Sequence, residues 1–219
     1  NTRAVHRHNH EQDGISFSEL RQNWRNLGIS EDFAAKQNLV IEAFERMGIL
    51  VSCTCTPYLI GNLPRYGEHL AWSESSAVTF ANSIIGARTN REGGPSALAA
   101  AFVGKTPEYG LHLDENRVPN IHVKVSASLG KLSDWGALGY AIGKKAENKI
   151  PYITGIAAAD LDELKSFCAS VVTYGAQPLF YMEGVTPAAE MQPVPRDKVI
   201  VENADIKNAY GNINDQVSD

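Results

Sequence analysis

Two arginines, an asparagine, a threonine and a carboxylate crowd into residues 87–94, ARTNREGG, between two segments that read as helices. A guanidinium offers a planar fork of donors that matches a carboxylate or a phosphate, and glycines beside it permit sharp turns. Arg88, Thr89, Asn90 and Arg91 are therefore candidate contacts for an anionic substrate. Glu68-His69, some twenty residues upstream, sets a carboxylate next to an imidazole, the two group types that most readily move protons near neutral pH. Ser73, Glu74 and Ser75 stand where a helical run begins, with hydroxyls and helix N–H groups that favour negative charge. Taken alone, the arginines are explained more simply as solvated loop residues, and one His/Glu dipeptide is a thin basis for acid-base chemistry.

The thiols are Cys53, Cys55 and Cys168. An odd number with no secreted spacing argues against a disulfide framework and leaves reduced thiols or metal ligands. Cys53 and Cys55, two apart, would share a strand face, yet that spacing is a poor chelate beside the longer sets of zinc or iron-sulfur sites. Buried packing accounts for them as spacing alone is read, and for Cys168 in LKSFCASVV. Gly104-Lys105-Thr106 is not a phosphate loop, because Ala99 stands where the first glycine is required. His112 with Asp114, Glu115 and Arg117 makes a second polar cluster that structural ion pairs explain equally well, and Trp72 and Trp135 read as core or rim aromatics.

These residues need elements to hold them. Ser73 is the expected N-cap of a helix whose Val78, Ala81, Ile84 and Ile85 recur at helical spacing and which Gly86 ends; Pro95 opens the next, to about residue 103. Earlier, Ser16 with Glu19 has capping-box spacing for a short helix that stops at Gly28. Ser30 caps a longer helix with a stripe of Phe33, Gln37, Val40, Ile41, Phe44 and Met47, ending at Gly48. ILVSCTCT, residues 49–56, reads as a buried strand delivering Cys55 at its carboxyl end. From residue 121 the spacing predicts strand 121–127, helix 133–147, strand 150–155, helix 160–174 and strand 178–182, the second helix carrying an Asp160/Glu163 box. Such alternation implies βαβ crossovers and a mostly parallel sheet covered on both faces, an α/β fold.

The expected organisation is a polar tail over 1–14, a ligand and substrate-loop region over 15–120, a βαβαβ region over 121–187 and a linker and terminal segment over 188–219, with KVIVEN as a further strand and a fraying end. At 219 residues and 43% hydrophobic content the chain can bury a substantial core. A net charge of −5 without any dense Lys/Arg block speaks against nucleic acid as a partner. No apolar run approaches the about 20 residues that cross a bilayer, and NTRAVHRHNH has no signal-peptide core, so no membrane partner and a cytoplasmic location are expected.

Residues 55–101, CTPYLIGNLPRYGEHLAWSESSAVTFANSIIGARTNREGGPSALAAA, closely resemble the large, catalytic subunit of the aconitase X family, and YGLHLDENRVP at 109–119 continues the match. The similarity runs from about Ser16 to Pro187. It implies an aconitase-like three-layer αβα fold and an iron-sulfur hydro-lyase, a dehydratase acting on phosphomevalonate or on cis-3-hydroxy-L-proline. By that resemblance Cys55 corresponds to one ligand of an iron-sulfur cluster of the 4Fe-4S or 2Fe-2S kind, whose iron acts as Lewis acid on the leaving hydroxyl. The remaining ligands, and the family's small swivelling subunit or fused domain, are not visible in this sequence. The run GGPSALAAAFVGKTPEYGLHLDENR looks more like the two-subunit forms, favouring phosphomevalonate. The competing reading is a non-catalytic assembly domain that keeps the fold without the cluster.

Overall fold

The computed structural model describes residues 24–217, so the polar start and the box at Ser16 and Glu19 lie outside the described residues. The described residues form two compact units, residues 24–63 with 93–105, and residues 64–92 with 106–217.

In the first unit, Ser30 is extended and accepts from the Phe33 N–H, starting helix α1, Glu31–Arg46, as its spacing predicts. Acidic residues in the first turn and Arg46 in the last suit the helix dipole. The expected apolar stripe is only partly covered: Ile41 is buried with Ala34, whereas Phe33 is 55% exposed and Val40 and Met47 are exposed as well. No strand forms over 49–56. Cys53 has a φ of 49°, in the left-handed region, which breaks the extended run a strand requires. The unit also holds helix α2, Gly94–Val103, with Pro95 in its first turn and Gly104 left-handed at its end. None of its residues is buried, although seven of the ten are alanine, leucine, phenylalanine or valine.

The second unit opens on helix α3, Ser75–Phe80, which widens into a π turn over Ala81–Ile85 and ends at left-handed Gly86. The capping residue is Glu74 and not the expected Ser73: its carboxylate accepts from both the backbone N–H and the hydroxyl of Ser76. Strands β1 (Ile121–Val125), β2 (Pro151–Thr154), β3 (Tyr181–Met182) and β4 (Lys198–Val201) form one sheet in the order β3-β2-β1-β4, parallel throughout. Helices α4 (Leu132–Ala146) and α5 (Leu161–Gly175) make the crossovers, and Asp160 and Glu163 exchange both bonds of the predicted capping box. KVIVEN supplies β4, and the end expected to fray is helix α6, Asn203–Val217. Its Ile206 and Ala209 are buried, Asp205 pairs with Lys145 of α4, and Tyr210 donates to Ser133 or Asp134 at the start of α4.

Helix α4 packs on both α5 and α6. It approaches α5 closely because Gly143 faces Gly175: a Cβ on Gly143 would lie 2.9 Å from the Gly175 nitrogen. On one sheet face Val123, Ile153 and Met182 are neighbours in register and wholly buried. The other face carries Tyr152 and Tyr181, packed with Leu179, Ala188, Ala189 and Leu111 from irregular segments. The fold is therefore α/β with a parallel sheet, as the alternation predicts. Among the described residues no helix is long and apolar enough to cross a membrane.

Candidate active site

Residues 64–92 and 109–117 form one braced polar cluster in the second unit. Its centre is Arg117, a buried guanidinium that donates to the Asn82 side-chain oxygen and to the carbonyls of Asn82, Ala87 and Leu111. Burial lowers its proton affinity, opposed by the Tyr181 phenol. Its four donated bonds offset much of the cost of taking that charge out of water. Asn82 donates in turn to the carbonyls of Thr89 and Pro178 and accepts from the Thr89 N–H.

The π turn explains this arrangement at the level of the backbone. Ala81–Ile85 widens the helix just where Asn82 must face inward, so that its carbonyl and side chain both meet Arg117. The backbone then leaves Gly86 beside the 67–70 segment: Gly67 donates to Gly86, Arg88 to Glu68 and Leu70 to Arg88, a short parallel bridge that sets His69 opposite Arg88.

Arg88 points one arm at the His112 carbonyl and the other at the Asp114 carboxylate, whose proton affinity it lowers chiefly through that hydrogen bond. Thr89 is fully buried and engaged, its hydroxyl accepting from the Trp72 N–H and donating to the Asn90 carbonyl. Asn90 grips the next loop, donating to the Tyr109 carbonyl and accepting from the Leu111 N–H. Gly110 between those partners has a φ of 63°, and a Cβ there would strike the Asn90 side chain at 2.2 Å. Thr89 and Asn90, expected on the anion, thus spend their polar atoms on bracing the loop. Arg91 is exposed, with a long 3.4 Å contact to the Ala176 carbonyl. Ser73 is exposed and Ser75 half-buried at the amino end of α3. Glu68 accepts from the Arg65 N–H and holds that turn, while His69 meets His112 across 2.8 Å between their Nδ1 atoms.

His112, which the sequence places in a polar cluster that ion pairs explain equally well, is brought against His69 by the fold. It lies 43 positions from His69, and no local pattern joins them. Burial first, then His69, Arg117 and Arg88, hold its pKa below the ordinary imidazole value, against the pull of Glu92.

The thiols lie apart in kind. Cys168 is buried in α5, where desolvation pushes its thiol up and makes it inert. Cys53 is buried; Cys55 is half-buried on a bend between Thr54 and Thr56, whose hydroxyls bond each other. A partly accessible thiol on an irregular turn fits a single metal ligand. Among the described residues no group of three or more His, Cys, Asp or Glu could hold a metal ion, so they do not fit a complete cluster site.

Residues 15–115 match the aconitase X first domain and residues 119–211 the aconitase X second domain. The chain belongs to the aconitase X family. Other members give the scale of the likeness. The phosphomevalonate dehydratase large subunit of Methanosarcina mazei is 50% identical over 86% of this chain and 48% of its own length. The cis-3-hydroxy-L-proline dehydratase of Pseudomonas aeruginosa is 37% identical over 81% of this chain and 31% of its own. The crystal structure of Thermococcus kodakaraensis aconitase X in its holo-form superposes with a TM-score of 0.80 at 46% identity, covering 84% of this chain and 48% of that one. This aconitase X chain spans about half the length of the first curated relatives it matches.

Proposed function

We propose that this chain supplies the core of a dehydratase, a hydro-lyase that removes water from a small anionic hydroxy acid. The favoured substrate is (R)-5-phosphomevalonate, converted to an anhydromevalonate phosphate. The observation that carries the choice is the identity of 50% to a phosphomevalonate dehydratase large subunit against 37% to a hydroxyproline dehydratase. In this reading Arg91, Ser73 and Ser75, with Arg88 behind them, hold the anion, and Glu68 and His69 handle the proton. Glu74 keeps the amino end of α3 in place through Ser76.

The dehydratase also requires an iron-sulfur cluster, to which Cys55 contributes one thiolate while the other ligands come from further polypeptide. A small subunit or fused swivelling domain completes the assembly. Turnover of phosphomevalonate by the reconstituted assembly supports this reading; turnover of cis-3-hydroxy-L-proline alone reverses the choice of substrate. Iron-free, inactive assembly would instead favour a non-catalytic scaffold.

A further inference from the structure

The rings of His69 and His112 have centroids 5.1 Å apart and planes only 17° from parallel. With the Nδ1 atoms 2.8 Å from each other, that centroid separation is what one hydrogen bond and two ring radii amount to. The nitrogens therefore lie on the line between the ring centres, and the rings meet edge to edge in nearly one plane. The lone pair of one Nδ1 then aims straight at the N–H of the other, which is the geometry of an N–H···N bond and not of a face-to-face stack. One nitrogen must donate and the other accept.

The surroundings decide which does so. His112 is 5% exposed, and His69 is exposed. A charge on the pair is better solvated on the outer ring, where its Nδ1–H donates inward. Glu92, Arg88 and Arg117 are the charged groups that act on His112, and Asp114 holds the second arm of Arg88. With Nδ1 turned to His69, Nε2 is the position left to carry hydrogen in the field of the Glu92 carboxylate; it has no hydrogen-bond partner. The same residue fixes both backbones: Arg88 pairs with the 68–70 segment through its main chain and with the His112 carbonyl through its guanidinium.

We infer that His112 is a positioning residue whose Nδ1 accepts the Nδ1–H of His69, fixing His69 in the tautomer that leaves its outer Nε2 bare as a base. The proton this base takes rests on the dehydratase reading; the tautomer does not. In the reaction the Nε2 lone pair forms a bond to hydrogen, the broken C–H bond leaves its electron pair as the new double bond, and hydroxide departs. The proton on His69 and that hydroxide together make the water lost. His112 accepts the same hydrogen bond before and after the transfer, so nothing around the pair must rearrange, the logic by which a buried acceptor orients a catalytic imidazole.

The test uses the assembled full-length dehydratase carrying this chain, labelled with 15N-histidine. Imidazole NMR is expected to find hydrogen on Nδ1 of His69, with that signal lost in His112→Ala; hydrogen on Nε2 of His69 in the unsubstituted protein overturns the inference. In kinetics, His112→Ala lowers kcat by about tenfold or more with KM within about threefold and shifts the acid limb of the pH profile. His112→Asn, whose Oδ1 takes the place of Nδ1, recovers most of kcat. Equal loss in the two variants reduces His112 to packing and also overturns it. An unsubstituted assembly that turns over neither substrate defeats the dehydratase reading, and the NMR result still decides the tautomer.

Discussion

At the scale of single residues, the polar atoms in this cluster fall into those already spent and those still available. Thr89, Asn90, Asn82 and Arg117 satisfy one another and the loop carbonyls, so they build the site without offering much to a ligand. Arg91, Ser73 and the outer edge of His69 remain accessible. Cys55 stands apart as the thiol suited to a metal. Cys55→Ser in the anaerobically prepared assembly is expected to lose iron and sulfide, read by colorimetric metal and sulfide counts; unchanged iron removes it from the ligand set. His112 makes a prediction about stability. Its folded pKa is depressed, so the unfolded chain takes up the proton first. Its contribution is complete above about pH 6.5 and is lost as the pH falls through the window below it. Denaturant midpoints measured between about pH 7 and pH 5.5 should fall in the unsubstituted protein and fall less in His112→Asn. His122, also depressed chiefly by burial, contributes a similar slope in both and cancels from the difference.

At the scale of elements, the contact between α4 and α5 is the tightest joint in the second unit. Gly143 and Gly175 let the two backbones touch, and a methyl at Gly143 has only backbone to push against. Gly143→Ala is expected to destabilise the unit by about 1–3 kcal/mol through overpacking, measured as a lower urea midpoint with an unchanged slope. The π turn at Ala81–Ile85 is a second decisive element, since an ordinary α turn would rotate Asn82 away from Arg117. Neither feature can be read from periodicity: hydrophobic spacing reports that a segment is helical but not that its hydrogen bonds shift by one residue.

At the scale of the molecule, the second unit has its own sheet, helices and core, and its site is internally braced. The first unit leaves α2 without a buried residue and offers one thiol suited to a metal. The chain alone, reconstituted with iron and sulfide and then gel-filtered, is expected to retain no stoichiometric cluster, whereas the assembly with the further ligands retains it. A full cluster on the isolated chain would show that the ligands within this chain suffice.

Residue type and spacing by themselves determined the α/β class, the Ser30 cap, the Asp160/Glu163 box and the strands β1 to β4, because capping, periodicity and β-branched runs act over a few residues. They also marked Arg88 to Arg91 and His69 as polar loop residues, without showing that Arg117 is the group they are built around. Tertiary structure decided the rest. It denied Ile49–Thr56 a strand by turning Cys53 left-handed, and it made a helix of the terminal residues by giving Ile206 and Ala209 a surface on α4 to bury against. It also joined His69 to His112, for hydrogen bonds between residues far apart in the chain depend on where packing brings two loops together, and local sequence carries no trace of that distance.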